Sequence, residues 1–109
     1  LLRRQGQQVN ELKFGNTALD LSSAMLLCGD NSIHLSAKEF DIMRFLLQAG
    51  QRNLSKEVIL ARVWGYDSDA EDNNVEVYIS FLRRKLEHLH SAVKIRTHRM
   101  VGYCLEVGA

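Results

Sequence analysis

The stretch Asn73–Leu89, NNVEVYISFLRRKLEHL, decides how this chain is read. At about 100° per residue, Val75, Ile79, Leu82 and Leu86 fall within one narrow arc, the buried stripe of an amphipathic helix. Asn73 is placed as its cap, with Glu76 three residues on. The opposite side carries Asn73, Val77, Ser80, Arg84 and His88, with Phe81 on the flank. A face turned only to water has no use for Val77 and Phe81. Two apolar side chains beside a cation suit a surface that meets a partner.

Just upstream, Gly65–Asp72 is acidic and lacks any apolar period. Before it, Ser55 reads as the cap of a shorter helix bearing Val58, Ile59, Ala61 and Val63, with Leu54 and Ile59 placed as a hydrophobic staple and Gly65 beyond its end. Earlier still, Ser36-Ala37-Lys38-Glu39 is a capping box. Leu35 and Phe40 form its staple, Phe40, Met43, Leu46 and Leu47 its apolar stripe, and Gly50 its stop. Ahead of that helix the chain breaks into short apolar pieces, LKFG, ALDL, AMLLC and SIHL, around Gly15-Asn16 and Gly29-Asp30-Asn31. These read as antiparallel strands joined by tight turns. After the third helix, VKIRTHRMVGYCLEV forms two strand-like runs about Arg99-Met100, a C-terminal hairpin. The order is strands, three helices, hairpin. The fold class is therefore α+β: a winged helix-turn-helix with an N-terminal antiparallel β-sheet and a C-terminal β-hairpin wing. In helix-turn-helix proteins the second helix of the pair enters the major groove of DNA. Residues 1–10 are polar and Gln-rich and read as a linker, which leaves 11–109 as one winged-helix domain.

Composition agrees with a single globular domain: 109 residues, 46% hydrophobic and 25% charged. No apolar run is long enough to span a membrane, and the first residues lack the apolar core of a signal peptide. Cys28 and Cys104 lack metal-ligand spacing and read as buried reduced thiols, as in a cytoplasmic protein. The net charge of +1 selects no partner, but its distribution is informative. Residues 51–76 hold three bases and six acids, and residues 77–109 hold six bases and two acids. A basic segment preceded by an acidic one is consistent with a nucleic-acid surface, and equally with two solvated faces of opposite sign. His88, His90 and His98 show no metal-binding spacing, and neither a nucleophile elbow nor a phosphate-binding glycine loop is present. No enzyme activity, cofactor or metal is expected.

Three segments, LSAKEFDIMRFLLQAGQRNLSKEVILARVWG, EDNNVEVYISFLRRKLE and IRTHRMVGYCLE, resemble in order and spacing the C-terminal effector domain of OmpR/PhoB-type response regulators. The resemblance runs from about Leu12 to Val107, and LLRR at the start is similar to the end of that family's receiver domain. It implies a two-component transcription factor whose receiver is phosphorylated by a sensor kinase and whose effector domains bind direct repeats in double-stranded promoter DNA. The isolated effector domain is expected to be monomeric. It also implies roles for individual residues. Asn73, Asn74, Tyr78 and Ser80 match phosphate-touching positions, and Val77 and Phe81 match positions facing the groove floor. Arg84, and more weakly Arg83 and Lys85, are placed to bond guanine or phosphate. Trp64, Thr97 and Tyr103 match backbone-contact positions, Arg96 is a weaker one, and Arg99 matches the wing arginine of the minor groove. The acidic loop with Asp67, Asp69, Glu71 and Asp72 matches the segment that often meets RNA polymerase. Some members carry Arg at the positions of Ser80 and Phe81, so guanine readout is expected to be weaker here. Met100 stands at a usual glycine, which predicts an altered wing tip. The alternative is a winged helix that binds protein through the same face.

Overall fold

The computed structural model describes residues 10–65 and 72–108. Four short strands come first: β1 (Glu11–Phe14), β2 (Thr17–Asp20), β3 (Met25–Cys28) and β4 (Asn31–His34). They form an antiparallel meander in chain order. Phe14 pairs with Thr17 and Cys28 with Asn31, so Gly15-Asn16 and Gly29-Asp30 are two-residue turns. The first residue of each turn has positive φ, 57° at Gly15 and 60° at Gly29, as a tight hairpin of this hand requires.

Three helices follow: α1 (Ala37–Ala49), α2 (Lys56–Trp64) and α3 (Asp72–His88). Both serine caps are present. The Ser36 hydroxyl accepts from the Glu39 N–H while the Glu39 carboxylate accepts from the Ser36 N–H at 2.8 Å, and the Ser55 hydroxyl accepts from the Val58 N–H at 3.1 Å. Gly50 and Gly65 close α1 and α2 with backbone bonds to Leu46 and Ala61. α3 begins at Asp72, so Asn73 lies inside the helix and is not its cap.

The core lies between these layers. Leu19 and Leu26 from the sheet meet Ile42, Met43 and Leu46 of α1, Ile59 of α2, and Val75, Ile79, Leu82 and Leu86 of α3. The stripe read from the sequence of α3 is thus the buried one, while Phe40 of α1 is only half-buried. Both cysteines are free and buried. Among the described residues no helix is long and apolar enough to cross a membrane.

The chain ends in the hairpin β5 (Val93–His98) and β6 (Gly102–Val107), paired from Val93↔Val107 to His98↔Gly102. Two contacts fix its place. Tyr103 and Leu54 exchange both backbone bonds, at 2.7 and 2.9 Å, which joins β6 to the turn between α1 and α2. Gly102 makes this approach possible: a Cβ there would lie 2.2 Å from the Leu54 carbonyl oxygen. At the other end, Asn16 Oδ1 accepts from the Ala92 N–H at 3.1 Å, and the hydroxyls of Thr17 and Ser91 hydrogen-bond to each other. The wing is therefore held by the first sheet and by the helix-turn-helix turn together.

Candidate nucleic-acid interface

Val77 is 44% exposed and Phe81 38%, on a helix whose opposite stripe is sealed in the core. Arg84 is exposed beside them, and Ser80 and Asn74 are half-buried. Phe81 is braced from behind. Its ring meets the ring of Tyr78 edge-on at 5.5 Å, and Tyr78 in turn meets Trp64 at 5.6 Å. This row of three aromatics leads from the end of α2 to the outer face of α3. The Tyr78–Phe81 pair is edge-to-face and the Trp64–Tyr78 pair tilted, and such aromatic pairs add about 0.5–1.5 kcal/mol beyond their buried area. Trp64 is half-buried, with the Lys38 ammonium 5.5 Å from its ring centre.

Arg83 and Lys85 are placed otherwise. Each lies about 80° to one side of the core stripe, so neither is on the outer face. Arg83 turns to the wing: its Nε and Nη2 donate to the Ile95 carbonyl at 3.1 and 2.8 Å, and Nη2 also donates to Thr97 Oγ1 at 2.7 Å. Lys85 turns to α1, donating to Glu39 Oε1 at 2.6 Å and to the His34 carbonyl at 3.1 Å. Both cations, which the resemblance places as base or phosphate ligands, have partners within the domain.

On the wing, Arg99 is exposed at the tip and Thr97 is exposed while accepting from Arg83. Arg96 pairs with Glu106 across the hairpin at 3.2 Å. Tyr103, which the resemblance places at a backbone-contact position, is 3% exposed and belongs to the core. Between the wing tip and the first turn of α2 lies an open groove of about 520 Å³, lined by Ser55, Lys56, Glu57 and residues 97–102. Lys56 also forms an ion pair with Glu76 of α3 at 2.5 Å. Lys56, the first residue of α2, was not singled out from the sequence. The acidic residues Asp67, Asp69 and Glu71 lie outside the described residues, as do the side chains of Asp72 and Asn73. No cluster of three metal-ligating side chains occurs among the described residues.

A helix-turn-helix pair, an outer helix face with apolar and cationic side chains, and a wing ending in an arginine together describe a DNA-binding winged helix. Comparison with known proteins agrees. Residues 30–105 match the family model described as "Transcriptional regulatory protein, C terminal". The chain belongs to this family, the OmpR/PhoB-type DNA-binding domains of response regulators. It is 39% identical over 107 residues to the transcriptional regulatory protein CiaR of Streptococcus pneumoniae, covering 97% of this chain and 48% of that protein. Among solved structures it is similar to the C-terminal domain of the nisin resistance regulator NsrR, with 33% identity and a TM-score of 0.73 over 87% of this chain and 95% of that one. It is also similar to the Klebsiella pneumoniae RstA DNA-binding domain in complex with RstA box, with 28% identity and a TM-score of 0.72 over 86% and 94% of the two chains. The chain spans about half the length of the curated relatives it matches.

Proposed function

We propose that this domain reads double-stranded promoter DNA with α3 in the major groove and the wing in the adjacent minor groove. The observation that carries this is the outer face of α3. Val77 and Phe81 stand exposed beside Arg84, and Phe81 is backed by a row of aromatic rings. Val77 and Phe81 contact thymine methyls and sugar edges, while Arg84 bonds guanine or phosphate. Ser80, Asn73, Asn74, Tyr78 and Trp64 hold the phosphates on either side. Arg99 enters the minor groove, where a narrow groove concentrates negative potential. Arg83 sets the angle between α3 and the wing through Ile95 and Thr97.

Membership of the family supports a wider setting for this reading. The domain is the output half of a cytoplasmic two-component regulator whose receiver answers a sensor kinase. Two copies occupy direct-repeat half-sites, and the acidic loop with Asp67, Asp69, Glu71 and Asp72 meets RNA polymerase. The domain alone is a monomer.

The test is a binding selection from random duplex DNA at moderate salt, with the domain alone and with an artificially dimerised form. Enrichment of a short motif, repeated head-to-tail in the dimerised form, is the expected result. A second reading, a protein-binding winged helix, draws on the same exposed Val77 and Phe81. No enrichment in either form would favour it. Salt separates the two readings further, because DNA affinity falls steeply as counterions are released and an apolar protein interface is much less sensitive.

A further inference from the structure

We propose that Met100 is an apolar wedge at the wing tip, which enters the minor groove beside Arg99 and favours flexible base steps there. This inference rests on the DNA-binding reading above and adds a specificity element to it.

Three observations meet at this residue. First, Met100 occupies the left-handed region, with φ 64°, as the third residue of the turn closed by the Val101 N–H to the His98 carbonyl at 2.9 Å. A side chain at this turn position is unfavourable, and glycine is the usual occupant. Second, Met100 is 101% exposed, so its side chain returns nothing to the fold by packing. Third, it stands between the exposed cation Arg99 and the exposed Val101, above the groove that separates the wing from α2. The tip therefore presents a cation and two apolar side chains, all turned to water in the free domain.

That chemistry fits one feature of DNA. The negative potential of the minor groove attracts Arg99. An apolar side chain carried in with it meets sugar edges and the groove floor, and apolar residues such as methionine part neighbouring base pairs in other minor-groove proteins. Methionine is unbranched and flexible, which lets it follow an irregular step. The two neighbours then ask for different DNA. A stiff A-tract, with its narrow groove, suits the arginine alone. A pyrimidine–purine step, which opens and unstacks readily, admits the methionine as well.

The test uses two duplex pools that share a random centre and differ in one fixed flank, either an uninterrupted A-tract or alternating TA steps. The domain and its Met100→Gly and Met100→Leu variants are equilibrated with both pools. The expected result is that the parent domain prefers the TA flank by about fivefold to tenfold, in the range of a single mismatched base pair. Met100→Leu keeps that preference. Met100→Gly binds the same central motif but loses the preference or turns to the A-tract. A 2-aminopurine at the flanking step gains fluorescence with the parent and not with Met100→Gly. If the parent and Met100→Gly bind with the same flank ratio, the wedge is overturned and the DNA reading stands. If neither the domain nor its artificially dimerised form binds either pool, both are overturned.

Discussion

The Lys85 ammonium of α3 lies 2.6 Å from the carboxylate of Glu39 in α1, and Glu39 is only 4% exposed. The same carboxylate caps α1 through the Ser36 N–H. One buried charge therefore serves both the start of the scaffold helix and the rotational setting of the outer helix. Burial alone would raise the Glu39 pKa. The hydrogen bonds from Lys85 and Ser36 and the Lys85 charge outweigh it, so the carboxyl titrates below the ordinary glutamate range. A depressed folded pKa contributes stability that is fully present above the unfolded glutamate's pKa and is lost as pH falls through the folded value. Lys85→Met is expected to cost about 3 kcal/mol near neutral pH, because a buried carboxylate loses its cation. With Lys85 gone, two of the lowering causes are lost and burial raises the Glu39 pKa, so the acid loss of stability through this group disappears and the cost of the substitution shrinks as pH falls. Urea unfolding of both forms across a pH series checks this. Parallel curves would mean that the pair is not coupled to Glu39 titration.

Arg83 offers a test of positioning against direct contact. It holds Ile95 and Thr97 with a planar fork that lysine does not reproduce. Arg83→Ala and Arg83→Lys are both expected to lower DNA affinity about tenfold by loosening the wing. The slope of log affinity against log salt is expected to stay unchanged for Arg83→Ala. Loss of a phosphate contact would instead reduce that slope by about 1.

The apolar face of α3 predicts dependence on thymine methyls. Replacing contacted thymines by deoxyuridine is expected to weaken binding about twofold to fivefold per methyl, near the transfer energy of one methyl group. Phe81→Ala is expected to abolish that sensitivity where Phe81 makes the contact. Equal sensitivity in parent and variant would assign Phe81 to packing over Tyr78.

Two neighbouring wing positions are expected to respond in opposite directions. Gly102→Ala places a Cβ against the Leu54 carbonyl in a region that side chains avoid, and is expected to destabilise by about 3 kcal/mol. Met100→Gly relieves a left-handed residue and is expected to stabilise by about 0.5–1 kcal/mol after the extra chain entropy of glycine. Denaturant unfolding of the two variants beside the parent measures both.

Local chemistry was legible in the sequence wherever neighbours along the chain decide the outcome. Ser36 with Glu39, Ser55 with Val58, and the two glycine-led turns need only a few residues each. The buried stripe of α3 follows from its period, and the element order carries the fold. Contacts across the fold were not legible. Arg83 and Lys85 sit at the margins of the core stripe, where the partner depends on which element packs alongside. Tyr103 was placed by the resemblance alone, and strand alternation does not reveal that 102–105 are all buried. The start of α3 was displaced by two residues, from Asn74 after an Asn73 cap to Asp72.

The bonds that join the first sheet to the wing link residues 74 and 76 positions apart in the chain. Closing so long a loop comes late in folding, after the helices and the short hairpins, whose contacts are local. The seating of the wing is therefore expected to be among the last contacts the chain acquires. A polypeptide still emerging from the ribosome can hold a formed α1, α2 and α3 while its wing has no β6 to pair with. Fragments that end before β6 would lack both the wing's second strand and the core side chains Tyr103 and Leu105.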